Sequence, residues 1–131
     1  MGTRGLYVFK YRGIYYIFYN HYDSYPSGLG QLIISDIRQL VENDKLDIVK
    51  ELISDIQLRE TQTTGTSKYE GIMNCVENPE RFVYYTSMEE PECNIFIEYI
   101  YIIDFDENIF TMKMHGFNSN FDLLNISCNF D

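Results

Sequence analysis

The stretch Gly5–Asn20, GLYVFKYRGIYYIFYN, leaves the chain few choices of fold. Two runs of aromatic and β-branched residues, the types that fit a pleated surface, flank the dipeptide Arg12-Gly13. A glycine there supplies the positive φ that a two-residue turn requires, so the segment predicts a tight β-hairpin. Its register follows from the turn: Tyr11 opposite Ile14, Lys10 opposite Tyr15, Gly5 opposite Asn20 and, one step on, Arg4 opposite His21. Nearly every side chain in both strands is apolar or aromatic, so packing is expected on both faces or along an edge.

Past Pro26 the period changes. Leu29, Leu32, Ile33, Ile37, Leu40 and Val41 recur at three and four, the stripe of an amphipathic helix. Asp44 is expected to N-cap a second helix burying Ile48, Val49, Leu52, Ile53 and Ile56. The short ENDK link makes the two an antiparallel helical hairpin. Thr61–Gly71 is polar and aperiodic, a loop. RFVYYTS reads as a strand, NIFIEYIYIID and NIFTMKMHG as a hairpin turning at FDEN, and FDLLNIS as a last short strand. There is no repeat. The 131 residues are 45% apolar, enough for a proper core. The expected fold class is α+β: one domain over 1–131, an antiparallel β-sheet with an N-terminal hairpin, packed on the α-helical hairpin.

The net charge of −10 excludes a general nucleic-acid binder, which needs a basic surface. The charge is uneven. Residues 1–41 hold four basic and two acidic residues, net +2; residues 42–131 hold six and eighteen, net −12. Cys75, Cys93 and Cys128, odd in number and far apart, suit free thiols in a reducing compartment. No apolar run reaches the ~18 residues of a membrane span. The first residues lack the apolar core of a signal peptide, and Leu6 stands where a myristoylation motif wants Ser or Thr. A soluble, cytoplasmic protein with no membrane partner is expected.

The chemistry is concentrated in YNHYDSYPSGLG, Tyr19 to Gly30. In a strand, His21 and Asp23 share a face, and a carboxylate beside an imidazole raises its basicity, as in general bases. Ser24 follows directly, but triads are assembled from distant segments, and residues this close in sequence rarely reach each other in line. The competing reading is a turn-stabilising hydrogen bond. Pro26 fits a first helical turn, Ser27 can cap, and Gly28 and Gly30 let a ligand approach helix N–H groups that attract anions. The hairpin register brings Thr3 and Arg4 to the same end. The candidate ligand-binding residues are therefore Thr3, Arg4, Asn20, His21, Asp23, Ser24, Tyr25, Gly28 and Gly30, with His21 and Asp23 catalytic in an enzyme. His21, Asp23 and His115 have no metal-ligand spacing, and Asp104–Asn108 (DFDEN) reads as a turn, so neither metal nor cofactor is expected.

The candidate ligand-binding residues, with Gly5, Gly13, Tyr15, Pro26 and Leu29 and the later Glu98, Tyr99, Tyr101 and Asp104, resemble a family of uncharacterised proteins of fungi and large DNA viruses. That pattern runs Thr-Arg-Gly, a Gly-x-Tyr hairpin, Asn-His-x-Asp-Ser-Tyr-Pro-x-Gly-Leu-Gly, then Glu-Tyr-x-Tyr-x-Ile-Asp. More loosely, it is similar to small phage and bacterial proteins that start Thr-Arg-Ser. The resemblance assigns no activity; the Ile-, Asn- and Tyr-rich composition resembles that of AT-rich large viruses, and a viral protein of this kind is expected in the host cytoplasm or virion. Some relatives carry Cys where this chain has Gly2; without that nucleophile an N-terminal amidase mechanism is disfavoured. Three functions remain: a domain holding a small anionic or nucleotide-like molecule at the hairpin–helix junction, the favoured one; a hydrolase or lyase using His21 and Asp23; and a protein-interaction domain. The oligomeric state is open, a homodimer included.

Overall fold

A computed structural model of the chain describes residues 3–126. Six strands form one sheet: β1 (Gly5–Tyr11), β2 (Ile14–Asn20), β3 (Tyr84–Ser87), β4 (Tyr99–Asp104), β5 (Ile109–Met114) and β6 (Phe117–Asp122), in the order β3-β2-β1-β4-β5-β6. Three helices, α1 (Gln31–Glu42), α2 (Leu46–Ser54) and α3 (Ile72–Glu77), cover one face. The architecture is the expected α+β. The first hairpin has the expected register, Tyr11 opposite Ile14 through Gly5 opposite Asn20. Arg12 and Gly13 both take positive φ (53° and 77°), and the Asp106 carboxylate accepts both of their N–H groups, at 2.7 and 3.0 Å.

Strand alternation sends side chains to two cores. Tyr7, Phe9, Tyr16, Phe18, Tyr84, Tyr101 and Phe110 face the helices and meet Leu29, Ile33, Ile37, Val49, Ile53 and Ile72. Their rings stack from strand to strand: Tyr84 on Phe18 at 5.1 Å, Phe18 on Tyr7 at 5.3 Å. Leu6, Val8, Tyr15, Ile17, Ile100 and Ile102 form the other core, with Cys93 and Ile97 against it. The segment before β4 is tied there by Lys113, buried on this face, whose ammonium donates to Glu90 (2.5 Å), Glu92 (2.8 Å) and the Pro91 carbonyl (3.1 Å). No helix among the described residues is long and apolar enough to cross a membrane.

Five details correct the sequence reading. The β1–β4 pair is parallel, Gly5 beside Tyr99 and Lys10 beside Asp104, because β4 enters on the free side of β1 from the same end. β4 begins at Tyr99 rather than Asn94: the Asn94 carboxamide accepts the N–H groups of Phe96 and Ile97 and holds a turn there. Asp44 caps no second helix. It takes a left-handed φ of 54° and closes α1, its N–H on the Val41 carbonyl and that of Lys45 on the Leu40 carbonyl. Helix α3 was not expected. The last strand starts at Phe117, straight after a turn at Gly116 (φ 85°), and ends where Asp122 turns the chain by accepting the Leu124 N–H. Ser127, the end of the strand expected there, lies outside the described residues, as does Cys128; Cys75 and Cys93 are free thiols.

Candidate functional site

Where β2 ends, the chain must turn from sheet to helix in five residues, and its polar groups are used to do so. Asn20 is buried at 4% exposure; its amide donates to the Tyr22 carbonyl (2.6 Å) and the Ser24 hydroxyl (2.8 Å), and its Oδ1 accepts the Tyr69 N–H (3.0 Å). Ser24, fully buried, takes its backbone N–H to the Thr3 carbonyl, and its own carbonyl accepts the Tyr101 hydroxyl at 2.7 Å. Asp23 adopts φ 54°, which aims its carbonyl at the Leu29 N–H. A five-residue π-helical turn, Pro26–Gly30, then leads into α1. A Cβ on Gly28 would lie 2.4 Å from the Asp23 carbonyl oxygen, and one on Gly5 2.6 Å from the Ser24 Cβ. The close approach these glycines permit is that of the chain to itself.

Outside this knot lies a cleft of about 690 Å³ between the turn, the first residues of α1 and Ser67–Tyr69. Tyr22, Tyr25 and Leu32 stand at its walls with 62%, 48% and 55% of their surface exposed; Asn20, Asp23, Ser27, Gly28, Leu29, Gln31 and Ser67 complete it, and Lys68 adds a cation. The Ser67–Tyr69 wall is fixed to the end of β2, since the Ser67 carbonyl accepts the His21 N–H at 2.8 Å. Beneath it the Tyr69 hydroxyl donates to Asp36; burial, then the adjacent carboxylate, raise the phenol well above its ordinary 10.0 and keep it protonated.

The candidate residues divide into three. Asn20, Asp23, Tyr25 and Gly28 line the cleft. Thr3, Ser24 and Gly30 are buried behind it. Arg4 and His21 stand to one side. His21 Nδ1 bonds the Tyr19 hydroxyl at 2.7 Å, and no hydrogen bond or ion pair joins it to Asp23 among the described residues. The strand ends one residue before His21, so the two do not share a strand face. The register set Arg4 opposite His21, but the paired residues end at Gly5 and Asn20; the charge of Arg4 is felt at Tyr19, where it lowers the phenol's pKa against the larger, raising effect of burial. Arg4 forms no ion pair with Asp23. The N–H groups of Gly28, Leu29 and Gly30, expected to cradle an anion, donate instead to the carbonyls of Tyr25, Asp23 and Tyr25. Tyr22 was overlooked within the very stretch singled out; Lys68 and Tyr69 come from the polar loop, where only the long-range bonds to Asn20 and His21 bring them in. Compared with protein-family models, with curated proteins and with solved structures, the chain matches none.

Proposed function

We propose that this chain is a small-ligand-binding domain and that the cleft at the hairpin–helix junction holds an anionic, ring-bearing molecule of nucleotide type. The observation that carries the reading is the cleft itself: about 690 Å³, within the range of small-molecule sites, and walled by two half-exposed tyrosine rings. Tyr22 and Tyr25 offer faces on which a base stacks, Leu29 and Leu32 apolar surface, and Lys68 a charge-assisted bond to phosphate. The hydroxyls of Ser27 and Ser67 suit a sugar. The N–H groups of Gly28, Leu29 and Gly30 play no part, since they are already bonded.

The test is a thermal-shift screen with adenosine and guanosine monophosphates, their nucleosides, ribose 5-phosphate and inorganic phosphate, followed by calorimetric titration. A nucleotide at ~100 times its dissociation constant adds about 2.7 kcal/mol to stability. Tyr25→Ala should then weaken binding by about 1–3 kcal/mol, and Lys68→Ala by about 1.5–3 kcal/mol, an effect absent for the nucleoside. If no compound of the panel shifts the melting temperature at millimolar concentration, the reading is wrong.

A further inference from the structure

The two edges of the sheet differ. That of β3 is covered: the Thr86 N–H donates to the Arg59 carbonyl at 2.6 Å, and the Arg59 N–H to the Thr86 hydroxyl at 2.9 Å. That of β6 is bare. The two-residue turn His115-Gly116 makes Met114 and Phe117 the closing hydrogen-bonded pair, so Phe117, Ser119 and Phe121 bond inward to β5. The Leu123 N–H, on the Asn108 carbonyl at 3.0 Å, continues the same ladder. By alternation Asn118 and Asn120 turn their N–H and C=O groups outward, and among the described residues no backbone group meets them. The strand has no lysine, no proline and no bulge, the devices that guard a free edge.

Its sequence also reads the same in both directions: Phe117-Asn118-Ser119-Asn120-Phe121. An antiparallel pair of such strands, centred on Ser119, sets each Asn118 opposite Asn120 of the second copy as a hydrogen-bonded pair. It sets each Phe117, half exposed, opposite Phe121 at the closer, non-bonded positions where aromatic pairs contribute most. The five residues carry no charge, so two copies of a chain of net −10 meet where they repel least. The same register brings Asp122 opposite Gly116 and beside His115 of the second copy. Such an interface is isologous and closes at two, because the covered β3 edge cannot extend it.

We propose that two copies of this chain pair through β6 about a two-fold axis at Ser119, joining their sheets into one of twelve strands. A seam this short is weak, so the dimer is to be sought by sedimentation velocity and light scattering from about 1 to 300 µM. The mass should rise with concentration from 15.5 kDa toward twice that value. Asn118 and Asn120 are exposed, which makes charge placement informative. N118K/N120K sets lysine against lysine and should raise the dimer dissociation constant at least ~10-fold, about 1.4 kcal/mol. N118K/N120E sets lysine against glutamate only in the Ser119-centred register and should keep or strengthen the dimer; in the registers centred on residue 118 or 120 like charges meet and it would dissociate. Circular dichroism checks that each variant folds, and the wild type and N118K/N120E decide the matter should N118K/N120K not. A chain monomeric throughout, a dimer indifferent to both variants, or one abolished by N118K/N120E overturns the proposal.

Discussion

Asn20 has both hydrogens of its amide and its carbonyl oxygen bonded inside the molecule. Asn20→Ala would leave the Tyr69 N–H, the Tyr22 carbonyl and the Ser24 hydroxyl without it. The expected loss is about 2–4 kcal/mol of unfolding free energy in denaturant titration. Asn20→Asp keeps the acceptor, loses both donors and sets a carboxylate against the Tyr22 carbonyl, so its deficit should be larger at pH 7 than at pH 4. Residue types alone therefore left two readings of this segment open. A buried polar knot and a ligand site need the same residue types: a carboxamide, a hydroxyl, glycines without Cβ. What the types do not reveal is whether their partner is a ligand or the chain's own backbone. For Gly28 it is the Asp23 carbonyl, and that contact is set by the left-handed turn at Asp23, which no pattern announced.

At the scale of elements, turns rather than periods decided where reading from sequence failed. The hairpin was legible to the residue because Arg12-Gly13 admits one turn geometry. Asp44 was not, because aspartate serves both at the start of a helix and in the left-handed position after one. Here it does the second. Asp44→Gly should thus raise stability by about 0.5–1 kcal/mol, the relief of a left-handed φ in a residue with a side chain, where loss of an N-cap would lower it. Melting of the two proteins side by side distinguishes these. Helix α3 carried a signal, Ile72, Cys75 and Val76 at helical spacing, but six residues make fewer than two turns, too few for a periodic stripe to stand out. The last strand was placed late because Gly116 was not taken as a turn residue.

Over the whole molecule the buried acids act together. Burial pushes the Cys75 thiol up to about 12 from its ordinary 9.0, and raises the phenols of Tyr7, Tyr69 and Tyr101 above 10.0. Each group is held protonated in the fold and ionises at lower pH when unfolded. Above pH ~9 the unfolded chain binds fewer protons than the native one, so stability falls as pH rises. Lys113 adds to the trend: burial lowers its pKa, but bonds to Glu90 and Glu92 raise it further, so its contribution is full below pH ~10.5 and is lost above. Melting temperature should be nearly flat from pH 7 to 8.5 and drop steeply between about 9 and 11. In Cys75→Ala the first part of the drop, from pH ~9, should be smaller, what remains coming from the Cys93 thiol that burial also raises, even though the variant is less stable at pH 7.

The parallel pairing of β1 with β4 has a consequence for how the chain is made. A ribosome releases β1 and β2 first, and they close locally through a two-residue turn. The other side of β1 has to wait until Tyr99–Asp104 emerges some ninety residues later, at ~5–20 residues per second. During those seconds a strand of leucine, valine and aromatic residues presents an open ladder of N–H and C=O groups to the cell. Closing so distant a pair is also slow in free solution, as for other folds dominated by non-local contacts. Lower growth temperature or a chaperone that covers β1 should therefore affect the yield of this protein more than its final stability.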